Sequence, residues 1–312
     1  MVPTRTVVLL GLAMLASLLP MARGSEMDWP QVTSQCKPWT YWWWMGSAVS
    51  REELQRHAKT YAQAGLGGMH IIPIYGAEGA QARYVPFLSP AWMDLLDGAV
   101  ETAGAAGLGI DMTPGTGWPY GGPWVGKEQA AKQAFLRSFS LAGAAEAPPV
   151  LCPGQPEARL KALVALGPEG KTVDLTARVG ADGQLNWKSG GGMWTLYALF
   201  QGWTKQQVKR AAPGGEGNVV DPFSRTSMDA YLARFDEAFK GRTTRPRAFY
   251  MDSYEVYGAN WTEDFFDQFQ TRRGYDLRFQ LGALEGRGDD ATAERVRSKS
   301  ARKTASSAAS SR

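Results

Sequence analysis

Two carboxylates three residues apart, Asp252 and Glu255, are the groups in this sequence best suited to acid–base chemistry. They lie where an apolar and aromatic run passes into a loop, in the segment FYMDSYEVYG. Cleavage of a glycosidic bond needs one carboxyl group that protonates the leaving oxygen and one that activates water. An isolated pair of this kind is more often a helix cap or an arginine ligand, so the surrounding elements decide between the two interpretations.

A loop rich in glycine and aromatic residues is the second candidate for a functional segment. It covers residues 111–125 and reads DMTPGTGWPYGGPWV. Glycine permits tight turns and close approach of a ligand. The side chains of Trp118, Tyr120 and Trp124 offer flat apolar faces that suit the C–H surface of a sugar ring. A rigid turn that places these rings in the core is an equally supported alternative.

Three further candidates for substrate contact come from predicted strands. Asp111 ends the third strand, where a carboxylate can bind substrate hydroxyls or a cation. Tyr75 ends the second strand. Trp44 belongs to an aromatic run in the first strand, in which alternation turns Trp42 and Trp44 to one side and Trp43 to the other. At least one of these tryptophans is therefore expected in the core.

Alternating strand and helix patterns predict a parallel α/β sheet. The predicted strands cover residues 39–45, 69–75, 108–113 and 248–252, and the helices cover 50–64, 89–106, a stretch from Ser224, and 262–273. Ser50 with Glu53 predicts a capping box at the first helix. Between the third and fourth strands, short alternating runs separated by turn residues predict a small antiparallel β insertion.

Several sequence blocks, taken in order, resemble glycoside hydrolase family 106, the bacterial α-L-rhamnosidases. The resemblance covers about residues 38–297 and implies a (β/α)₈ TIM-type barrel, of which this chain supplies about four βα units. It also implies inverting hydrolysis of terminal α-L-rhamnosides and a Ca²⁺ ion at the substrate site. Asp252 and Glu255 match the family's active-site carboxylates, and we expect Glu255 to be the general acid and Asp252 a substrate or calcium contact. The blocks are YWWWMGSAVS from Tyr41, GLGGMHIIPIYG from Gly65, DMTPGTGWPYGGPWV from Asp111, NVVDPFSRTSMDAYLARFD from Asn218, FYMDSYEVYGANWTEDFF from Phe249 and RRGYDLR from Arg272.

The predicted organisation follows from these patterns. Residues 1–24 form a signal peptide, 25–132 the first part of the barrel, 133–218 an inserted β subdomain, 219–297 the fourth βα unit, and 298–312 a disordered basic tail. Members of the family are longer and carry a second catalytic glutamate on a later strand. Because helical patterning stops after Arg297, we expect a truncated or frameshifted, inactive fragment. A non-catalytic carbohydrate-binding remnant is the alternative.

The apolar run near the N-terminus and the distribution of charge indicate which compartment and which partners to expect. The apolar run at residues 7–19 is short for a membrane span, which needs about 20 residues. Together with Arg5 and the small residues that follow the run, it predicts export to the periplasm or medium, without a membrane span after signal removal.

The net charge of the chain is +4, of which residues 1–24 carry +2 and residues 295–312 carry +6. The net charge of residues 25–294 is therefore −4. We therefore expect a rhamnose-containing oligosaccharide or glycoside as partner and no nucleic acid. The two cysteines, Cys36 and Cys152, are expected to be unpaired.

Overall fold

The elements of the fold are taken from a computed structural model that describes residues 29–143, 145–251, 253–287 and 291–298. The predicted signal peptide and nearly all of the basic tail lie outside these residues. The strands are β1 (Trp39–Met45), β2 (Gly68–Ile74), β3 (Gly109–Met112), β4 (Gly121–Gly122), β5 (Lys132–Ala142), β6 (Arg159–Leu166), β7 (Thr172–Asp174), β8 (Met193–Trp203), β9 (Asn218–Val219) and β10 (Ala248–Phe249). The α-helices are α1 (Arg51–Gln63), α2 (Pro90–Ala105), α3 (Arg225–Phe239), α4 (Phe265–Arg273) and α5 (Leu281–Leu284), and residues 291–298 are also helical.

A parallel sheet with the strand order β1-β2-β3-β10 confirms the predicted α/β class. The predicted fourth strand was too long, because β10 ends at Phe249 instead of reaching Asp252. Tyr250 makes one more backbone hydrogen bond to Met112, the last residue of β3, and the chain then has no partner strand to follow. Asp252 lies outside the described residues. Closure into a (β/α)₈ barrel stays a prediction.

The two faces of this sheet differ in their surroundings. Trp42 and Trp44 are 4% and 0% exposed and join a core formed with α1, α2 and α3. Trp43, between them, is 50% exposed on the opposite face. The predicted alternation along β1 is therefore confirmed, since successive side chains of a strand point to opposite sides.

Local sequence signals fix most of the helix ends. Ser50 and Glu53 form both hydrogen bonds of the predicted capping box, and the Ser224 side chain caps α3. The start of α4 was predicted at Thr262, but the helix begins three residues later, at Phe265. Trp261 takes part in a β-bridge with Lys132, and residues 263–264 form a turn before the helix begins.

A second, antiparallel sheet has the strand order β5-β8-β6-β7. It confirms that the region between β3 and β10 contains an antiparallel insertion, although β5 and β8 are eleven residues long and not short runs. The subdomain limits 133–218 stay a prediction. One face of the sheet packs against the α4 region and the other buries Cys152, which is unpaired, as is Cys36. Among the described residues, no helix has the length and apolar character that a membrane span requires.

Candidate active site

The segments that follow β2, β3 and β10 meet at the C-terminal edge of the parallel sheet, and the surface they form there is called the cleft. Tyr75 follows β2, Trp118 lies in the loop after β3, and Glu255 lies in the loop after β10. The C-terminal ends of parallel strands share one edge, which brings residues distant in sequence together. A cavity of about 80 Å³ beside Trp118 is lined in part by Trp43, Tyr120 and Met251.

The carboxyl group of Glu255 is held at this cleft by two side chains. The indole N–H of Trp118 donates to Glu255 Oε2 at 3.2 Å, and Lys209 Nζ lies 3.8 Å from the same oxygen. Gln206 clamps the backbone around Glu255, since its amide donates to the Glu255 carbonyl at 2.7 Å and accepts from the Tyr257 N–H at 2.8 Å. With 39% of the Glu255 side chain exposed, a ligand in the cleft can reach this carboxyl group.

Two basic residues that the sequence analysis missed, Lys209 and Arg210, form one wall of the cleft. Lys209 pairs with Trp118 through two backbone hydrogen bonds of 3.2 and 3.0 Å. The Arg210 guanidinium lies 5.4 Å from the Tyr75 ring and 5.0 Å from the Trp118 ring. The only sequence signal was an adjacent Lys-Arg pair, which carries no spacing motif.

The backbone of this wall departs from ordinary conformations. Tyr75 and Arg210 have φ values of 45° and 60°, in the left-handed region that side chains with a Cβ adopt at a cost. They are joined by a hydrogen bond of 2.9 Å from the Tyr75 N–H to the Arg210 carbonyl. Gly117 makes the arrangement possible, because a Cβ there would lie 2.0 Å from the Lys209 carbonyl oxygen.

Replacing Gly117 with alanine is expected to lower the free energy of unfolding by about 1–3 kcal/mol, since the added methyl group collides with backbone at a φ of 56°. Gly104→Ala is the matched control. Gly104 lies inside α2 with open space around it, so alanine there should stabilise by about 0.5–1 kcal/mol. Urea denaturation measures both changes, and equal effects of the two substitutions would contradict the close approach at Gly117.

Tyr120, predicted to contact substrate, lies next to the loop that carries Glu255. Its ring stacks on Tyr231 at 5.9 Å and meets the ring of Tyr254 edge-on at 6.1 Å. Burial raises the pKa of the Tyr120 phenol above its usual range. The hydroxyl therefore stays protonated at neutral pH and is able to donate a hydrogen bond.

Trp124 and Trp44, also predicted to contact substrate, lie away from the cleft surface. The Trp124 ring stacks against Phe87 and Tyr231 at the edge of the core. Trp44 is completely buried against Trp92. Of the predicted residues, Trp118 contacts Glu255 directly, and Tyr120 contacts Tyr254, the residue before it. Trp44 and Trp124 pack with the core, which for Trp124 was the alternative.

Asp111 does not join the cleft either. Arg247 binds both of its carboxylate oxygens, with Nε–Oδ1 and Nη2–Oδ2 distances of 2.9 and 2.5 Å. The pair lines a cavity of about 630 Å³ together with Trp39 and His70, and His70 also lines the cavity beside Trp118. Asp111 is thus bound by an arginine in this structure, and its contact with substrate stays a prediction.

Calcium fits the described residues poorly. Ca²⁺ takes six to eight oxygen ligands, mostly carboxylates and carbonyls. Within the ranges that the structure describes, no group of three or more His, Cys, Asp or Glu side chains could hold a metal ion. Asp252, the residue expected to contact calcium, lies outside those ranges. The calcium ion stays a prediction, and no step below depends on it.

An accessible glutamate with aromatic rings at the C-terminal edge of a parallel α/β sheet suits a glycoside hydrolase, and the family match supports this class. Residues 31–158 and 155–298 match the model of one family, Glyco_hydro_106, described as alpha-L-rhamnosidase. The chain belongs to this family, as its sequence blocks predicted.

Two relatives place the chain among larger proteins. The solved structure of a rhamnosidase from Novosphingobium sp. PP1Y superposes with a TM-score of 0.69 over 89% of this chain and 44% of that one. Because the two sequences are only 16% identical, this likeness is evidence for the fold alone. A curated protein of Formosa agariphila, named "Putative beta-glucuronidase", is 26% identical over 318 residues, 86% of this chain and 27% of the relative. The chain thus spans less than half the length of either protein.

Proposed function

We propose that this chain carries the general-acid half of the active site of an inverting α-L-rhamnosidase. The substrate would be a rhamnose-containing oligosaccharide or glycoside. The observation that carries the proposal is the position of the Glu255 carboxyl group, held by Trp118 and Lys209 and open to solvent at the C-terminal edge of the parallel sheet. Catalytic side chains of barrel enzymes project from this edge.

The surroundings of Glu255 suit a sugar ring. Trp118 is half-buried beside the carboxyl group and presents an apolar ring face. Tyr120 adds a protonated hydroxyl group and a second ring. An apolar surface with a few convergent polar groups is typical of a small-molecule site. In the proposed reaction, Glu255 donates its proton to the leaving glycosidic oxygen while water attacks the anomeric carbon from the opposite face.

Inversion requires a second carboxyl group about 6.5–9.5 Å from the first, with the attacking water between them. The family resemblance implies that this second carboxyl group is a glutamate on a later strand than those of this chain. We therefore propose that these 312 residues bind a terminal rhamnoside without hydrolysing it. A non-catalytic carbohydrate-binding remnant, the alternative, would bind the same ligand. An added second carboxylate should restore turnover in a rhamnosidase fragment but not in such a remnant.

Titration of the purified chain with methyl α-L-rhamnoside is expected to show saturable binding and, with an aryl α-L-rhamnoside, no turnover. Trp118→Ala should weaken binding about tenfold or more, a loss of about 1.4 kcal/mol. Trp29→Ala is the matched control, because Trp29 is 94% exposed and its loss should leave affinity unchanged. Calorimetry measures the affinities.

Two results would count against this proposal. Rhamnoside turnover that Glu255→Gln abolishes would show that the chain is active by itself, with Glu255 still its general acid. Binding of glucuronic acid in preference to rhamnose would overturn the rhamnoside assignment and favour the activity for which the Formosa relative is named.

The proposed site of action is outside the cytoplasm. The signal-peptide pattern at residues 1–24 supports export to the periplasm or medium, where rhamnose-containing glycans are accessible to a hydrolase. The net charge of −4 for residues 25–294 agrees with a sugar substrate rather than a nucleic acid.

A further inference from the structure

We propose that Arg210 and Lys209 form an anion-binding subsite beside Glu255, which favours rhamnosides whose leaving group carries a carboxylate or a sulfate ester. The inference rests on the proposed function and adds a substrate class to it. Three observations support it: the charge balance at the cleft, the fixed orientation of the Arg210 guanidinium, and its position relative to Glu255.

Among the cleft residues that the structure describes, two basic side chains, Lys209 and Arg210, lie near one carboxyl group, that of Glu255. Lys209 offsets Glu255, which it approaches to 3.8 Å. Arg210 takes part in none of the ion pairs found among the described residues. Its guanidinium instead lies near the aromatic rings of Tyr75 and Trp118. Arg242 and Arg247, by contrast, each bind aspartate carboxylates at 2.5–3.0 Å. An exposed guanidinium without a carboxylate partner leaves its donors available to an anion from outside the chain.

The Arg210 side chain is held in place before any ligand arrives. Its guanidinium lies 5.4 Å from the Tyr75 ring and 5.0 Å from the Trp118 ring, and the backbone of the segment that carries it approaches Gly117 closely. Arginine presents a planar fork that matches carboxylate and sulfate oxygens, and prior ordering reduces the entropy lost on binding.

The position of these cations points to the leaving group. A general acid contacts the oxygen through which the leaving group departs. Lys209 and Trp118 both contact Oε2 of Glu255, and the Arg210 guanidinium lies 5.0 Å from the Trp118 ring. Lys209 also lies 4.4 Å from the ring of Tyr257, which is largely exposed and offers a surface to a second sugar. An acidic group on that second sugar would meet both cations.

The test compares three disaccharides that share an α-L-rhamnosyl group and differ in the sugar to which it is linked: glucuronate, glucose and a sulfated glucose. Calorimetric titration at an ionic strength of about 0.01 M should show the two anionic probes binding about tenfold more tightly than the glucose probe, and the difference should shrink at about 0.15 M. In Arg210→Gln the ratio of neutral to anionic dissociation constants is expected to fall to about one. Arg210→Lys should give an intermediate ratio, because lysine keeps the charge and loses the planar fork.

Arg225→Gln is the matched control, since Arg225 is 92% exposed on α3 and should leave the ratio intact. The relative affinities of the glucuronate and sulfated probes identify which anion the subsite prefers, and tight binding of either supports it. Equal binding of anionic and neutral probes by the unmodified chain would overturn the subsite alone. If no rhamnosyl probe binds, the proposed function fails and this inference fails with it.

Discussion

Replacing Trp44 with alanine should lower the free energy of unfolding by about 3–5 kcal/mol. The Trp44 side chain has no exposed surface and packs against Trp42 and Trp92, with ring centroids 5.8 and 5.6 Å apart. Removing the ring leaves a cavity between β1 and α2 that the surrounding helices close only in part. Guanidinium denaturation followed by tryptophan fluorescence and circular dichroism measures the change.

The neighbouring residue supplies the control for this prediction. Trp43 lies on the opposite face of β1 and is 50% exposed, so Trp43→Ala should cost about 1 kcal/mol or less. The comparison also tests whether Trp44 contacts substrate. Loss of rhamnoside affinity in a Trp44→Ala variant of unchanged stability would restore that assignment, whereas a large loss of stability places the ring in the core.

The fold was predictable where the deciding interactions are local. Ser50 and Glu53 lie three residues apart and form the predicted capping box by themselves. Alternation along β1 likewise needs only the geometry of a strand. The start of α4 was not predictable in this way, because a residue shortly before its first turn, Trp261, forms a bridge with the distant residue Lys132.

The same distinction applies to the candidate site. Tyr75, Trp118 and Glu255 could be placed together because each follows a strand of one parallel sheet, whose C-terminal ends share an edge. Lys209 and Arg210 could not be placed, since they reach Trp118 only after the chain has passed through the antiparallel sheet. The ion pair of Asp111 could not be predicted for a related reason: its partner, Arg247, comes from the segment just before β10, far along the chain.

Aromatic rings showed a further limit of sequence reasoning. Trp118 and Trp124 belong to one loop and have the same side chain, yet one contacts Glu255 and the other stacks on Tyr231. Loop composition does not determine which way a ring points. The backbone of the loop decides it, through Gly117 at the close approach to the Lys209 carbonyl.

A buried ion pair anchors the segment that follows Glu255. Lys132 and Asp221 have side chains only 2% and 0% exposed, and Lys132 Nζ lies 3.4 Å from Asp221 Oδ2. Lys132 Nζ also donates to the Glu128 carbonyl at 2.7 Å. The backbone carbonyl of Lys132 accepts from the N–H of Asn260, so the loop after Glu255 is fastened to β5 at the residue that holds the pair.

Replacing Lys132 with methionine should lower the free energy of unfolding by about 3–5 kcal/mol at neutral pH, because the buried Asp221 carboxylate loses its compensating charge. Burial already raises the pKa of Asp221, and Lys132 is the largest of the influences that oppose this. An acid whose pKa is raised by folding binds more protons in the folded chain, so its contribution to stability falls as pH rises from the unfolded value, about 3.9, through the folded one. Without Lys132 that pKa rises further, and the loss caused by Lys132→Met should therefore be smaller in acid than at neutral pH.

The double variant Lys132→Met/Asp221→Leu separates an unpaired charge from lost packing. Removing both charged groups should recover most of the stability lost in Lys132→Met, since replacing a buried pair by apolar groups of similar volume is often close to neutral. Denaturation at neutral and acid pH measures all three chains. A double variant no more stable than Lys132→Met, with no dependence of the loss on pH, would show that the lysine acts through its hydrogen bond to the Glu128 carbonyl and not through Asp221.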